Sequence, residues 1–421
     1  MRPLPDGFNG AIMAVESIGD AIAFLHGPGG CRIRHMVHSC AVLPRMEDGS
    51  AYVYKPYFNG YQRVPATYLD EYDFINGAMY KLEEGHPIVQ EAKPSLVVVI
   101  DSPGAALIGD DHRHAIRELG LEDRAIFMDS SLVSLPMPEC YGRTLREVLE
   151  FVSPQRTGVV EGGFNLLGLS IVDKDWAYAL EELRGICESM GLTFVSAPGA
   201  GASLDDMRKS VNAEYNVVIC PEFSSPLLEF YEPMGVKTVK SPAGAPVGFD
   251  AVEAWIRTIA EATGKDPAPA LEMVQHQKRK VLTKFLGMKY NSLRIRGLTF
   301  SIAGIGSVVR PLTEWLYNYM GMAPLAVMAD EGSDETQVEA LRDFLARTDF
   351  DVAFGKEPIE SDVVLCEGIT ALTMEANGTC LIGIPIGHSS MGLDDVIPRP
   401  VYGIQGSLYI LDELLHGVRM S

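Results

Sequence analysis

The sequence predicts an α/β protein of three doubly wound, Rossmann-like domains with mainly parallel sheets around a central cleft. With 421 residues, the chain is too long to fold around a single hydrophobic core. Short runs rich in β-branched residues, such as 95–100 and 216–220, do not alternate with polar residues, which is typical of strands buried on both faces. Because such runs alternate with helical stretches in three successive cycles, we expect doubly wound sheets.

The first domain, residues 1–155, begins with apolar residues at helical spacing over 10–18 and continues with an apolar strand that ends in His26. Residues 41–70 are rich in Tyr, Pro, Gly and Asn and predict irregular surface. The next strand, 95–100, leads into Asp101-Ser102-Pro103-Gly104. Sheets of this class bind ligands at loops that follow the carboxyl ends of parallel strands, so the loops after both strands are candidate sites.

The second domain, residues 156–285, repeats the pattern. Its predicted strands are 158–169, 192–196, 216–220 and 236–239, and its predicted helices are 175–191, 227–235 and 249–264. The polar stretch 275–284 is expected to begin the connection to the third domain, residues 286–421. That domain has predicted strands at 298–303, 325–328, 352–354, 363–366 and 381–384.

The acidic composition limits the classes of function. The formal net charge of −21 argues against nucleic-acid binding and leaves open an acidic docking surface for a partner protein. Seven scattered cysteines without a CxxC pair predict a reducing compartment rather than a disulfide framework. Residues 1–6 lack the pattern of a signal peptide, and no apolar run reaches the roughly 18 residues of a membrane span. We therefore expect a cytoplasmic protein that does not enter membranes.

The stretch from His26 to Cys31 is the first candidate site. Four turn residues, Gly27-Pro28-Gly29-Gly30, follow the strand and deliver a single cysteine. The glycines can adopt positive φ and approach another body closely. If a helix begins near Cys31, its N–H groups and the nearby arginines would favour a thiolate, which is a good iron–sulfur ligand. The alternative is a glycine-rich turn with an inert, buried cysteine.

Other nucleotide and metal motifs are incomplete or missing from the sequence. The turn Gly304-Ile305-Gly306 lacks the third glycine and the acidic residue of a dinucleotide fingerprint. The sequence has no G-x-x-x-x-G-K-[ST] motif, so ATP hydrolysis by this chain is not predicted. It also has no HExxH motif or paired His/Cys spacing that indicates zinc.

With Cys31 in place, the order of further landmarks resembles the nitrogenase component 1 family. That family includes dark-operative protochlorophyllide reductases, the nickel-sirohydrochlorin cyclase and cofactor-assembly scaffolds. The segments that carry the resemblance are 26–31 (HGPGGC), 73–77 (DFING) with Leu82, 101–103 (DSP) with 107–111 (LIGDD), 235–237 (GVK) with 246–250 (PVGFD), and 383–386 (GIPI) with 400–407 (PVYGIQGS).

The resemblance implies a homodimer or heterodimer with a second component 1-like subunit that bridges an iron–sulfur cluster, most simply [4Fe–4S]. A separate ATP-dependent iron protein would supply electrons. Cys31, with Gly29 and Gly30 beside it, corresponds to the middle of the family's three cluster cysteines. The first would fall near Pro5, beside Asp6, and the third falls at Ser102.

Asp6 and Ser102 are therefore conceivable oxygen ligands, although Ser102 is equally suited to cap a helix. Cys40 is a further candidate ligand, with a buried structural cysteine as the alternative. His388, in a loop after the strand 381–384, is a candidate catalytic residue facing a substrate cleft, or else a solvated histidine. Cys220 and Cys366 each end a buried strand and are interpreted as packing residues.

These departures from the family pattern affect the expected function. A [4Fe–4S] cluster ordinarily needs four thiolates, so the isolated chain is expected to hold a cluster poorly. The preferred hypothesis is a nitrogenase-like reductase subunit that passes low-potential electrons from the iron protein through the cluster to an unknown reducible substrate. The alternatives are a non-catalytic scaffold for metallocluster assembly and a small-molecule-binding module that has lost the cluster.

Overall fold

The computed structural model describes residues 2, 5–43, 63–90, 93–128, 134–287, 295–387 and 395–420. The first part of the chain forms the helices α1 (Gly7–Glu16), α2 (Gly29–Val42), α3 (Glu71–Asn76), α4 (Met79–Gln90), α5 (His112–Glu118) and α6 (Met137–Val152). Its strands are β1 (Ala21–His26), β2 (Leu96–Asp101) and β3 (Ala125–Met128), and a short 3-10 helix spans Ala105–Leu107.

The second part contains the strands β4 (Val160–Leu167), β5 (Thr193–Ser196), β6 (Ala213–Val218) and β7 (Lys237–Val239). Its helices are α7 (Trp176–Ser189), α8 (Leu204–Lys209), α9 (Pro221–Tyr231), α10 (Phe249–Thr263) and α11 (Ala268–Gly287). Short 3-10 helices follow α8 at Ser210–Asn212 and α9 at Glu232–Met234.

The third part contains the strands β8 (Thr299–Gly304), β9 (Ala323–Ala329), β10 (Val363–Cys366) and β11 (Ile382–Pro385). Its helices are α12 (Gly306–Trp315), α13 (Glu335–Arg347), α14 (Gly368–Ala376) and α15 (Gly403–Met420). A π-helical turn spans Leu316–Met320, and a 3-10 helix spans Asp351–Ala353. Among the described residues, no helix is both long and apolar enough to cross a membrane.

The strands form three sheets, each drawn from one part of the chain, with the orders β1-β2-β3, β5-β4-β6-β7 and β11-β10-β8-β9. Every strand pairing in these sheets is parallel, so the predicted fold class is confirmed. All residues of β1 and β2 are buried, as their unalternating sequences predicted. The domain boundaries after residues 155 and 285 stay a prediction.

The structure differs from the sequence prediction at two stretches. The predicted strand 352–354 is wrong, because Asp351–Ala353 forms a 3-10 helix and only Phe354 makes an isolated bridge, to Val327. The polar stretch 275–284 is part of the helix α11 rather than a connection. Helix α6 and strand β3 are elements that the sequence analysis did not predict.

Polar contacts and a shared core join the three sheets. Buried residues of all three sheets belong to one apolar cluster, as Leu25, Phe164 and Ile302 illustrate. At the start of α15, Glu182 accepts a hydrogen bond from the backbone N–H of Gln405, with an N···O distance of 3.0 Å. The loop before α15 also brings the Tyr402 hydroxyl to 3.4 Å from Asp173 Oδ1.

Among the residues that make these contacts, Asp173 has a buried carboxyl whose protonation affects the free energy of unfolding. Its side chain is 6% exposed, and its Oδ2 accepts a hydrogen bond of 2.8 Å from the backbone N–H of Ser170. Burial raises the pKa of Asp173 from 3.8 to about 7, and the hydrogen bonds from Ser170 and Tyr402 only partly oppose this. The folded protein therefore favours the protonated carboxyl, while the unfolded chain ionises at lower pH.

We expect the Asp173→Asn variant to change how stability depends on pH. In the natural protein, the contribution of Asp173 to the free energy of unfolding should fall as pH rises between 3.8 and about 7, because its carboxyl is then readily ionised only in the unfolded state. The contribution is at most on the order of 4 kcal/mol, and the uncharged amide would remove it. Urea unfolding at several pH values measures this. The exposed control Asp205→Asn should keep the natural slope, and an equal slope in Asp173→Asn would contradict the expectation.

Candidate functional site

The loop between β1 and α2 places Cys31 at the carboxyl edge of the first sheet. Helix α2 begins at Gly29, directly after the extended Pro28 (φ −69°, ψ 152°), as the sequence predicted for a helix starting near the cysteine. Cys31 thus lies in the first turn of α2. Its side chain is half-buried and packs against the edge of the main apolar core.

The loop glycines permit close contacts within the chain. A Cβ on Gly27 would lie 2.7 Å from Ser102 Oγ, and one on Gly29 would lie 2.8 Å from Tyr68 Cδ1. A Cβ on Gly30 would meet no atom of the described residues within 4 Å, so the surface beside Gly30 can accept a methyl group. The expected use of positive φ is wrong for these three glycines. Close approach, rather than a left-handed backbone, is what requires glycine at 27 and 29.

Ser102 is buried beside the first residue of the Cys31 loop. Its backbone N–H donates to the carbonyl oxygen of His26, with an N···O distance of 2.9 Å. Its Oγ accepts a hydrogen bond of 3.3 Å from the N–H of Ala105, where the 3-10 helix begins. Ser102 therefore accepts a hydrogen bond from the first residue of the 3-10 helix, whose N-cap is Gly104, and also adjoins Gly27; its role as a ligand stays a prediction.

Asp6 lies at the start of α1, near the face of α2 that holds Cys31. It is exposed and caps α1 by accepting a hydrogen bond of 2.9 Å from the N–H of Asn9. Burial, reinforced by the charge of Arg34, lowers the pKa of His35 to about 4, and the charge of Asp6 opposes this. His35 lies one helical turn after Cys31 on the same face. His35 Nδ1 lies 3.1 Å from Asn9 Oδ1, so the start of α1, which Asp6 caps, packs against the face of α2 that holds Cys31.

The remaining candidates lie elsewhere. Cys40 is exposed, and nine residues of helix separate it from Cys31 by about 13 Å and half a turn. His388 lies outside the described residues. Cys366 is fully buried at the end of β10, and Cys220 is fully buried 3.1 Å from the Tyr402 hydroxyl, so both occupy core positions. Burial also raises the pKa of Cys220 well above its usual value, which keeps this thiol protonated.

Exposed apolar side chains occur on α2 and on the segments near the Cys31 loop. We call this set the loop surface; its members are Ile33, Val37, Tyr68, Tyr72, Phe74, Ile75 and Leu107. Leu107 is 88% exposed and Ile75 is 82% exposed. Tyr68 borders Gly29 and Phe74 borders Gly104, so these two side chains lie beside the loops that follow β1 and β2. Large exposed apolar side chains that lie close together on a protein surface can mark an interaction site.

The sequence analysis placed His26 at the end of the first strand but gave this histidine no role of its own. His26 is fully buried, with Nε2 3.1 Å from Asp110 Oδ2 and Nδ1 3.1 Å from Thr67 Oγ1. Burial and the nearby His112 lower the pKa of His26. The available sequence signal was a polar residue at the end of an apolar strand, a position where such sheets bind ligands.

Comparisons with known proteins agree on a family. The family model described as nitrogenase component 1 type oxidoreductase matches residues 7–373. A subunit of the light-independent protochlorophyllide reductase of Methylobacterium sp. (strain 4-46) is 25% identical over an alignment of 345 residues, and the match covers 78% of this chain and 65% of that protein. The corresponding subunit of the Methylocella silvestris reductase is 26% identical over 52% of this chain and 47% of that protein.

The chain thus spans less than two thirds of the length of these curated relatives. A solved structure described as nitrogenase Cp1 at pH 6.5 has the same fold, with a TM-score of 0.76 at 14% identity. That match covers 100% of this chain and 94% of the other.

The close packing of the loop leads to a stability prediction. We expect Gly27→Ala to destabilise the fold by about 1–3 kcal/mol, because the new methyl group would overlap Ser102. The matched variant Gly30→Ala should be neutral or stabilise by up to about 1 kcal/mol, because Gly30 lies in α2 next to open space. Urea unfolding of both variants measures this, and equal effects would contradict the packing argument.

Proposed function

Because the chain belongs to the nitrogenase component 1 type oxidoreductases, we propose that it is one subunit of a nitrogenase-like reductase. In this proposal it receives low-potential electrons from an ATP-dependent iron protein, through an iron–sulfur cluster at the Cys31 loop, and passes them to a reducible substrate. The supporting observation is the half-buried Cys31 thiol at the carboxyl edge of the first sheet, in a loop bordered by the exposed Tyr68.

One chain offers only part of the ligand set of an iron–sulfur cluster, so a cluster at the Cys31 loop would be shared with a second subunit. Cys31 offers one sulfur, whereas a [4Fe–4S] cluster ordinarily takes four thiolates. Ser102 and Asp6 offer only oxygen, a harder donor that suits iron–sulfur binding less well, and both already accept backbone hydrogen bonds. A second subunit facing the loop would supply the missing sulfur ligands.

The chain's own residues have distinct roles in this arrangement. When bound, an iron–sulfur cluster supplies single-electron transfer at low potential. Cys31 would hold iron through its sulfur, and the N–H groups of the first turn of α2 stabilise negative charge there. Gly27 and Gly29 let the loop lie close to Ser102 and Tyr68, so the position of Cys31 is fixed by packing. Gly30 leaves the adjoining space open.

The loop surface supports a partner of similar kind. Side chains such as Ile75 and Leu107 would be covered when a second subunit, identical or related, packs over the loop. That contact would also remove water from the space beside Cys31, which strengthens electrostatic interactions there. A two-fold or pseudo-two-fold arrangement places the same loop of both subunits at one interface.

The first test of this proposal is the iron content of Cys31→Ala, purified anaerobically together with its natural partners. We expect this variant to lose iron and acid-labile sulfide while remaining folded by circular dichroism, because a ligand rather than a core residue is removed. Cys40→Ala, on the other side of the same helix, is the matched control and should retain both. Unchanged iron in Cys31→Ala would overturn the assignment.

The variant Ser102→Cys extends this test. It should raise iron occupancy after anaerobic reconstitution if position 102 faces the cluster, because a thiolate replaces a hydroxyl. If it gains nothing, Ser102 serves only as a cap. If the natural protein itself stays colourless, metal-free and folded when its partners are present, the small-molecule-binding function takes precedence.

The second test concerns self-association. We expect Leu107→Glu and Ile75→Glu to shift the oligomer toward the monomer, because a carboxylate would have to be buried in the contact. Val352→Glu is the matched control, since Val352 is 68% exposed but lies in the third part of the chain. Light scattering and sedimentation measure the mass. A natural protein that is monomeric alone and with its partners would contradict the proposed interface.

A further inference from the structure

A second group of polar side chains lies at the carboxyl ends of β1 and β2, beneath the Cys31 loop. His26, Asp101 and His112 are 0%, 5% and 3% exposed. One ligand atom from each lies within 4.8 Å of those of the other two. His26 and Asp101 are cross-strand partners and His112 is the first residue of α5, so regular elements hold all three.

Two of these residues have polar atoms without hydrogen-bond partners. Asp101 Oδ1 lies 2.8 Å from His112 Nε2, but the angle is outside the hydrogen-bonding range, and neither atom has another partner among the described residues. The His112 ring is held by stacking on Phe127, with the ring centroids 4.1 Å apart. Burying polar atoms unpaired is unfavourable, so a bound group that contacts both would explain their placement.

The charges at this position point to a cation. Asp110 adds a second carboxylate, with Oδ2 3.1 Å from His26 Nε2 and its side chain 7% exposed. Within the described ranges, neither Asp101 nor Asp110 forms an ion pair with a lysine or arginine. Buried carboxylates are usually paired with cations or coordinate metals.

We infer that His26, Asp101 and His112 bind one divalent transition-metal ion of the zinc class, with Asp110 beside them to balance its charge. Imidazole nitrogen and carboxylate oxygen are donors that zinc and similar ions accept. Two ligands bonded at about 2.1 Å and set at the tetrahedral angle lie about 3.4 Å apart. Asp101 Oδ1 and His112 Nε2, which are 2.8 Å apart, would therefore separate by about half an ångström on binding.

Thr67 supports His26 as a ligand. With the ion on Nε2, the proton of His26 resides on Nδ1 and is donated to Thr67 Oγ1, 3.1 Å away. Thr67 Oγ1 also accepts a hydrogen bond of 3.1 Å from the N–H of Gly27, the first residue of the Cys31 loop. The ion would therefore join β1, β2 and α5 and brace the loop from below. This structural role is independent of the proposed iron–sulfur cluster.

The test uses the full-length protein, treated with a chelator under anaerobic conditions and titrated with Co²⁺ or Zn²⁺. We expect a single equivalent of Co²⁺ to give visible d–d absorption without a sulfur charge-transfer band, because the ligands are nitrogen and oxygen. Zn²⁺ should raise Tm by about 2 °C or more, because it binds only the folded state. No Co²⁺ spectrum and no Zn²⁺-dependent rise in Tm would overturn the inference.

Four variants locate the ion. His112→Ala and Asp101→Asn should each weaken Zn²⁺ binding at least about a hundredfold, more than the usual loss of an outer hydrogen-bond partner. His114→Ala, exposed on the same helix, should bind as the natural protein does. Cys31→Ala should also bind normally, which separates this site from the cluster.

Because His112→Ala leaves a buried cavity, circular dichroism of the metal-free variants checks their folding, and the near-isosteric Asp101→Asn decides the outcome if His112→Ala unfolds. Zn²⁺ binding that persists in a folded Asp101→Asn variant, or that is lost equally in His114→Ala, would overturn the assignment. Loss in Cys31→Ala would assign the ion to the Cys31 thiol instead.

Discussion

The parallel pairing of β1 with β2 is the constraint on which the candidate site depends. Its register sets His26 opposite Asp101, so the loop to Cys31 and the loop through Ser102 leave the sheet side by side. The two loops then pack so closely that no Cβ fits on Gly27. A slip of one residue would turn every side chain of one strand to the other face and separate these groups.

The other two sheets hold their positions through buried polar contacts as well as the shared core. Glu222, at the start of α9, accepts hydrogen bonds from the backbone N–H and the hydroxyl of Ser307, at 2.9 Å and 2.6 Å. Sliding one sheet against the next would leave such groups unpaired, at about 1–3 kcal/mol each. The arrangement therefore favours a fixed frame, with chemistry confined to loops at the sheet edges.

Sequence reasoning was successful where a local pattern reflects burial and failed where it does not. Strands such as β2 are apolar at every position because both faces are covered, and this is visible without a structure. Helix α11 was missed because its exposed charges look like a connection, yet Lys278 on that helix pairs with Asp250 and Glu253 on α10. The stretch 352–354 has strand-like composition, but a sheet partner for only one residue.

The same distinction applies to the site. Cys31 could be found because a glycine loop and a strand end are local signals, whereas strand register brings His26 beside Asp101 and the packing of α5 adds His112. The two candidate sites also differ in chemistry. Cys31 offers a soft sulfur, whereas the group of His26, Asp101 and His112 offers nitrogen and oxygen donors that select other ions. Because the hydrogen bond from the N–H of Gly27 to Thr67 Oγ1 and the packing of Gly27 on Ser102 hold the loop, its position does not depend on the Cys31 thiol.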